Sequence, residues 1–283
     1  MVKAPIGVFD SGLGGITVLK HLLSAFPEES FIYLADTANL PYGDKEPEFL
    51  VRTVRSVLHF FVQQGVKILI MACNTTSALV LPVLSTESSV PLFGVVLPGI
   101  REALRITRNG RIGVMANEAT VNSGVFPSWI TKISKELGRD VSVWQSICKR
   151  LVPLIEQGAE SSLKTDAILK EYLFPLLSNG VDTIILGCTH YPIWQDRLER
   201  LTGIEVTFVD PAIPTVNEVK SWLEGEYSKI SGVVPLKSAN DEKRISFWTT
   251  GLPEIFNARA TVLLGDIVSA QQINLKTPES IVK

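Results

Sequence analysis

Short apolar runs alternate along this chain with longer segments in which apolar positions recur at helical spacing. The first run, Ile6–Phe9, leads into the turn DSGLGG and then into an amphipathic segment. A later helical pattern, EPEFLVRTVRSVLHFFVQQG, ends at Gly65, and glycine commonly follows the last turn of a helix. Strands that alternate with helices in this way predict parallel βαβ units joined by right-handed crossovers.

The alternation restarts near the middle of the chain, after Pro98–Gly99, and a late strand ends near Pro211. This pattern predicts an α/β fold with two similar lobes, each a mostly parallel sheet flanked by helices, and an active site in the cleft between them. The first lobe is predicted to span residues 1–98 plus about 211–283, and the second about 99–210. The predicted strands are Ile6–Phe9, Phe31–Leu34, Val66–Met71, Leu92–Leu97, Ile112–Met115, Val141–Trp144, Val181–Leu186, Ile204–Val209 and a run within RISFWTTG that is expected to rejoin the first lobe.

Composition narrows the class of protein. Of 283 residues, 46% are apolar and 20% are charged, which is ordinary for a globular protein and excludes a disordered chain. The 27 basic and 29 acidic side chains nearly cancel, so neither a nucleic acid nor a membrane surface is an expected partner. No run approaches the ~20 apolar residues of a transmembrane helix. Three cysteines are too few for a disulfide framework, which predicts a cytoplasmic location.

Two of these cysteines follow apolar strands in similar surroundings, Cys73 in LIMACNTTS and Cys188 in ILGCTHYP. Ligands of parallel sheets bind outside the carboxyl ends of the strands, so both sulfurs are expected to face one cleft from opposite sides. Two acid–base groups on opposite faces of a carbon can remove a proton from one side and supply one from the other, which inverts a stereocentre. A free thiol titrates near ~8.5, so a modest shift in pKa selects between thiolate base and thiol acid.

Polar residues near the two cysteines indicate the kind of ligand. His190 lies two positions after Cys188, on the same side if the backbone is extended, and its imidazolium would favour the thiolate. Asp10 ends the first strand and is expected to play a matching role near Cys73 or to hold a substrate ammonium. These features predict a small amino acid with one or two carboxylates. Candidate carboxylate donors are Ser11, Asn74, Thr75, Thr76, Thr120 and Thr189.

Four long motifs occur in a characteristic order and spacing: IGVFDSGLGGITVL, LADTANLPYGDK, ACNTTSALVLP and LGCTHYP. Together with RLVPLIEQG and FWTTGLPE, they resemble the glutamate racemase family over most of the chain. The resemblance implies a cofactor-independent, metal-free homodimer that interconverts L- and D-glutamate and supplies D-glutamate for bacterial peptidoglycan. It implies that Cys73 removes the α-proton of the D-enantiomer and Cys188 that of the L-enantiomer, assisted by Asp10, Glu156 and His190.

The resemblance also implies a substrate-binding set and shows two departures from the family pattern. Asn117 stands where members usually carry threonine, and Lys149 follows Cys148 where a Cys-Pro pair is common. The first departure changes one possible carboxylate contact, although Thr120 fits. The implied substrate-binding residues are Asp10, Ser11, Pro41, Tyr42, Gly43, Asn74, Thr75, Thr76, Thr120, Thr189 and His190.

Other interpretations of the same residues remain. An aspartate racemase of the same superfamily also has Cys-Asn-Thr and Gly-Cys-Thr segments at strand ends. A two-lobed amino-acid binding protein would fit the lobes but gives no reason for two cysteines. An interaction protein is a third alternative, but no residues indicate its surface. A hydrolase using Cys188 and His190 would leave Cys73 unexplained. A zinc site at these three residues lacks the tight Cys-x₂-Cys spacing of structural sites. Cys148 is predicted to be a small buried apolar residue.

Overall fold

The computed structural model describes residues 4–158, 163–227 and 244–275. The predicted lobes also include residues 1–3, 159–162, 228–243 and 276–283, which lie outside the described part of the chain. Within the described ranges, ten strands form two sheets, and every strand pairing is parallel. The first sheet has the order β10-β9-β2-β1-β3-β4 and the second has the order β6-β5-β7-β8.

The strands of the first sheet are β1 (Ile6–Asp10), β2 (Phe31–Ala35), β3 (Ile68–Met71), β4 (Leu92–Gly94), β9 (Ile245–Thr249) and β10 (Ala270–Gln272). Those of the second sheet are β5 (Arg111–Ala116), β6 (Ser142–Ile147), β7 (Thr183–Gly187) and β8 (Thr207–Val209). The second sheet repeats the order of β2-β1-β3-β4, so the predicted class of two similar parallel sheets is confirmed. In both sheets the strand order reverses at the central pair, β1 with β3 and β5 with β7, and ligands bind at such switch points.

Helices cover the sheets. The α-helices are α1 (Gly15–Ala25), α2 (Pro47–Gln63), α3 (Asn74–Leu79), α4 (Leu81–Leu84), α5 (Val96–Ile106), α6 (Glu118–Asn122), α7 (Val125–Glu136), α8 (Leu151–Glu156), α9 (Leu163–Leu177), α10 (Gln195–Thr202), α11 (Ala212–Trp222) and α12 (Pro253–Leu264). Short 3₁₀ turns occupy Thr37–Asn39, Tyr42–Asp44, Tyr191–Trp194 and Gly203–Glu205, and a π turn occupies Leu223–Tyr227. Among the described residues, no helix combines the length and the apolar character needed to cross a membrane.

Each sheet is buried on both faces, as parallel sheets usually are. In the first sheet, α1, α11 and α12 pack on the face that carries Val8, and α2 packs on the face that carries Phe9. In the second sheet, α5 and α7 pack on the face of Val114, and α9 and α10 on the face of Met115. The inner strands β1, β2, β3, β5 and β7 are therefore nearly continuous apolar runs, and this is why their positions can be predicted from hydropathy.

Three predicted strands are wrong in extent by three residues at one end, and one of these, Val141–Trp144, continues as β6 to Ile147. The run Leu92–Leu97 forms a strand only to Gly94, and Val96 begins α5, so Pro98 and Gly99 lie inside a helix. A short apolar run cannot by itself distinguish a buried strand from the buried side of a helix. The run Ile204–Val209 begins as a 3₁₀ turn in which Ile204 is 98% exposed, and the strand starts at Thr207.

The C-terminal part of the described chain returns to the first sheet. The strand predicted within RISFWTTG is β9, which pairs with β2, so this prediction is confirmed. β10 was not predicted, because its three residues carry no apolar run. The proposed lobe boundaries themselves stay a prediction.

Candidate active site

A cavity of about 80 Å³ lies at the carboxyl ends of the strands of both sheets, and Cys73 and Cys188 both belong to its wall. This volume holds only a few water-sized groups, which suits a small ligand. The predicted residues that line the cavity are Ser11, Pro41, Tyr42, Gly43, Cys73, Asn74, Thr75, Cys188, Thr189 and His190. The structure therefore brings together, around one space, residues that the sequence places up to 179 positions apart.

Four predicted residues lie behind this wall: Asp10, Thr76, Thr120 and Glu156. Each contacts a residue of the wall, as described below. Eight further residues, outside the predicted substrate-binding set, complete the lining: Leu40, Asp44, Asn117, Glu118, Cys148, Lys149, Val152 and Pro153. Asn117 ends the loop after β5, at the position equivalent to Ser11 after β1, so the strand-end rule identifies it from sequence.

Cys73 follows β3 and is the N-cap residue of α3. Its sulfur accepts a hydrogen bond from Ser11 Oγ at 3.6 Å, and the backbone N–H of Thr76 also contacts it. The side chain is 6% exposed. Burial and then the charge of Asp10 raise the pKa of Cys73 to about 11, against the lowering effect of the two hydrogen bonds. The raised pKa favours the neutral thiol at this residue.

Asp10 is fully buried at the end of β1 and connects the two sheets. Its Oδ2 accepts the Gly12 N–H at 2.9 Å, and its Oδ1 accepts Thr189 Oγ1 at 3.3 Å. Burial raises the pKa of Asp10, and this outweighs the opposing effects of the His190 charge and of these hydrogen bonds. The DSGLGG turn after β1 packs closely against Thr189, since a Cβ at Gly14 would lie 2.3 Å from Thr189 Oγ1.

Cys188 follows β7, and its sulfur lies 3.7 Å from His190 Nδ1. The expected reason for this contact is wrong, since the backbone is not extended here: His190 has φ −78° and ψ −30°, and Tyr191 N donates to Cys188 O at 3.0 Å. The turn, rather than strand alternation, brings the ring to the sulfur.

The second nitrogen of the His190 ring, Nε2, donates to Glu156 Oε1 at 2.6 Å. Burial by itself lowers the pKa of His190, but the hydrogen bonds and charges of Cys188 and Glu156 outweigh it and raise this pKa to about 10. Burial likewise opposes the ionised form of Glu156, but His190 and then Arg259 hold the pKa of Glu156 below its ordinary value. The arrangement is therefore an imidazolium between a sulfur and a carboxylate.

The segment around Tyr42 forms another side of the cavity. The buried carboxylate of Asp36, which follows β2, accepts Tyr42 Oη at 2.5 Å and also Asn39 and Thr250. Gly43 lies against Asn117, because a Cβ at this glycine would lie 2.9 Å from Asn117 Cγ. This close approach explains why the loop carries glycine there.

The first turns of α3 and α6 meet through side chains. Thr75 Oγ1 accepts Asn117 Nδ2 at 2.7 Å and shares a hydrogen bond of 3.2 Å with Thr120 Oγ1. Asn117 Oδ1 also caps α6 by accepting the Thr120 N–H at 2.9 Å. Asn117 therefore orients a threonine of the cavity wall, and Thr120 acts from behind it.

Asn74 carries a polar atom without a partner. Its Oδ1 is buried and accepts no hydrogen bond from the described residues, while the side chain is 2% exposed. Buried acceptors are rarely left unsatisfied, because desolvation without a hydrogen bond costs roughly 1–3 kcal/mol. A ligand that donates a hydrogen bond in the cavity would satisfy this atom.

The rim of the cavity contains the second departure from the family pattern. Lys149 Nζ forms an ion pair with Glu118 Oε2 at 2.7 Å, and both side chains are substantially exposed. The preceding residue, Cys148, is 1% exposed and donates to Ser146 O at 3.4 Å. Burial raises the pKa of Cys148 to about 12, in accord with its predicted role as a buried apolar residue.

The fold and the cavity define a two-sheet parallel α/β protein in which two thiols at equivalent strand ends share one small polar site. The family model of Asp/Glu/hydantoin racemases matches residues 6–219. A glutamate racemase from a Picosynechococcus species is 41% identical over 272 residues, covering 96% of this chain and 92% of that protein. The chain belongs to the Asp/Glu/hydantoin racemase family.

Solved structures agree with this membership. Glutamate racemase isoform RacE1 from Bacillus anthracis superposes with a TM-score of 0.88 at 30% identity, covering 97% of this chain and 99% of that one. Glutamate racemase from Francisella tularensis, solved in complex with D-glutamate, has a TM-score of 0.85 at 29% identity, with 96% and 98% covered. The predicted resemblance to this family is therefore confirmed.

Proposed function

We propose that this chain interconverts L- and D-glutamate with Cys73 and Cys188 as the two acid–base groups. Cys188 removes the α-proton of L-glutamate while Cys73 supplies a proton from the other face, and the roles reverse for D-glutamate. The observation that carries the proposal is the pair of free thiols in the wall of one small cavity, each at the end of an equivalent strand. The names of the relatives agree with this substrate.

The polar groups of the cavity suit an amino acid with two carboxylates. The unsatisfied Asn74 Oδ1 and the carboxylate of Asp10 are acceptors for an ammonium group. Hydroxyl and backbone donors near Ser11, Gly43 and Thr75 suit carboxylates. An amino-acid α-proton is a much weaker acid than a thiol. These preorganised donors therefore have to stabilise the developing charge, within the roughly 8–23 kcal/mol that enzymes supply.

The test is incubation of the purified protein with L-glutamate in D₂O, with optical rotation and α-deuteration followed together. We expect both signals to change together. Cys73→Ser and Cys188→Ser should each lower kcat/KM by about 10²–10⁴-fold, the usual contribution of a positioned acid or base. Cys148→Ser is the matched control, because this thiol contacts Ser146 rather than a proton-transfer partner.

Three outcomes would contradict the proposal. Full activity of either single variant would exclude the two-thiol scheme. Binding of glutamate without deuteration would favour a binding protein. Faster turnover of L-aspartate than of L-glutamate would favour the aspartate racemase alternative.

The wider role follows from the family membership rather than from the cavity. We propose that the protein is cytoplasmic, a location that suits its three free cysteines, and that the D-glutamate it produces is used for peptidoglycan. A homodimer is proposed as well, since large apolar side chains of α12 and the loop after it, such as Val262 and Ile267, are 80% and 86% exposed. Light scattering of the purified protein tests this assembly, and a monomer at all concentrations would contradict it.

A further inference from the structure

Arg259 lies next to the site, and neither the strand-end rule nor the motifs indicate it. It is on α12, whose buried residues Phe256 and Ala260 belong to the core of the first sheet. Its Nη1 donates to Glu156 Oε2 at 3.1 Å. Glu156 ends α8, which packs through Leu151 into the core of the second sheet. The ion pair therefore joins elements that belong to different sheets.

The two oxygens of the Glu156 carboxylate have separate partners. Oε2 accepts Arg259, and Oε1 accepts His190 Nε2 at 2.6 Å. The other ring nitrogen of His190, Nδ1, is 3.7 Å from the sulfur of Cys188. A continuous series of contacts therefore runs from α12 of the first sheet to the thiol of the second.

We propose that Arg259 is a positioning residue that holds Glu156, and through it the His190 ring, in place beside Cys188. A glutamate side chain has three rotatable bonds, so one hydrogen bond to a histidine leaves it mobile. A guanidinium offers donors in a rigid plane that match a carboxylate and cannot be deprotonated, so it restricts this motion while keeping the neighbouring carboxylate charged. On this basis the Cys188 side of the cavity is complete only when α12 and α8 are in contact, whereas the Cys73 side contains no member of the series.

This inference rests on the proposed racemase function for one of its two readouts. Enantiomers have equal free energies in an achiral solvent, so kcat/KM has to stay equal in both directions in every variant. Isotope effects with α-deuterated L- and D-glutamate do carry directional information. If removal of Arg259 impairs Cys188, proton removal from the L-enantiomer becomes more rate-limiting, and the isotope effect for L rises relative to that for D.

The variants are Arg259→Ala and Arg259→Lys, with Arg101→Ala as the matched control. Arg101 pairs with Glu218 at a similar 2.9 Å, and neither residue lines the cavity. We expect Arg259→Ala to lower kcat/KM about 10-fold, less than the ~100-fold that a 1 Å misplacement at a reacting centre can cost. The L/D ratio of isotope effects should rise. Lysine, which keeps the charge but not the rigid planar guanidinium, should restore part of both the rate and the isotope-effect ratio. Arg101→Ala should match the unaltered protein.

The second readout needs no racemase activity. It is the rate of iodoacetamide alkylation at Cys188 relative to Cys73 in the ligand-free protein, mapped by mass spectrometry. This ratio should fall in Arg259→Ala and recover partly in Arg259→Lys. The reason is that a cationic ring held beside a sulfur makes that sulfur more reactive. Thermal unfolding of the same samples confirms that each variant is folded.

The inference is overturned if Arg259→Ala leaves the alkylation ratio unchanged or raises it. It is also overturned if kcat/KM falls without a rise in the L/D isotope-effect ratio, since a purely structural role predicts that pattern. If the unaltered protein fails to racemise glutamate, the proposed function is contradicted, and the alkylation ratio alone decides the role of Arg259.

Discussion

The surroundings of Cys73 and Cys188 differ although the two residues occupy equivalent ends of β3 and β7. Cys73 has a neutral donor, Ser11, at 3.6 Å and the negative charge of Asp10 nearby, and its pKa is raised to about 11. Cys188 has His190 at 3.7 Å, with the pKa of that ring raised to about 10. The repeated strand order therefore gives the two thiols equivalent positions, but their neighbouring ionisable groups differ: Asp10 near Cys73, and the His190 ring beside Cys188.

This difference bears on the proposed reaction. The raised pKa of Cys73 favours a thiol that is ready to donate a proton, while the sulfur of Cys188 lies beside the ring of His190, whose pKa is also raised. In the proposed reaction this arrangement suits L-glutamate as the first substrate, because Cys73 is then the proton donor. After one turnover the protons are redistributed, and the site has to return to its starting state or act on D-glutamate.

The largest effect that tests this comparison is expected at His190. His190→Asn removes the charge beside Cys188 while keeping a polar side chain of similar width, so kcat/KM should fall about 10²-fold, at the lower end for an acid–base partner. The isotope effect should rise for the L-enantiomer only. His59→Asn is the control, because His59 is exposed on α2 and contacts Gln63. An equal rise for both enantiomers would contradict the asymmetry of the two sides.

The same variant tests the charge of His190 in the folded state. The pKa of this ring is raised from 6.5 to about 10, so the stability that it contributes is fully present below pH 6.5 and is lost as the pH rises through about 10. The free energy of unfolding of the unaltered protein relative to His190→Asn should therefore decline between these pH values. A difference that is constant with pH would show that the ring is neutral.

A smaller effect is expected on the Cys73 side. Ser11→Ala removes a hydrogen bond that lowers the pKa of Cys73. A hydrogen bond contributes about 0.5–1.5 kcal/mol, so alkylation of Cys73 at a fixed alkaline pH should slow by about 2–10-fold. Alkylation of Cys188 in the same sample should not change. Ser85→Ala, at an exposed serine that bonds to Pro82 O, is the control. Equal slowing at both cysteines would indicate a general change in access.

The smallest effect is expected at Lys149, which is not one of the groups described around either thiol. The exposed ammonium of Lys149 lies on the cavity rim and forms an ion pair with Glu118. Lys149→Ala should therefore raise KM for glutamate only about 2–3-fold, because an anionic substrate is attracted less strongly. The ratio of L and D isotope effects should stay unchanged. The effect should disappear at a salt concentration of about 1 M, where the screening length is about 3 Å. Lys220→Ala, in the exposed pair with Glu224, is the control, and a rise in KM that persists at high salt would contradict the steering role.

Some of the site could be predicted from single positions in the sequence. Cys73, Cys188 and Ser11 follow apolar runs directly, and the rule that ligands bind at strand ends identifies them without any knowledge of packing. Glu156 was indicated only by the family resemblance, because its segment carries no strand. Arg259 was indicated by neither, since its partner lies 103 positions away along the chain.

Other errors have a local cause. The strand predicted over Leu92–Leu97 ends early, because apolar residues at the start of α5 continue the same run. The contact between His190 and Cys188 was expected from strand alternation and arises instead from a turn. In both cases hydropathy identified which residues are buried but not the backbone conformation that buries them.

The sequence by itself determined the alternation of strands and helices, the repeat of that pattern and the position of a cysteine at the end of one strand in each half. These features depend on local hydropathy and on residues that are neighbours along the chain. Only the tertiary structure decided that the two thiols have different electrostatic surroundings, because a pKa depends on burial and on charges within a few ångströms. Those charges come from Asp10, Glu156, His190 and Arg259, which three-dimensional packing brings together.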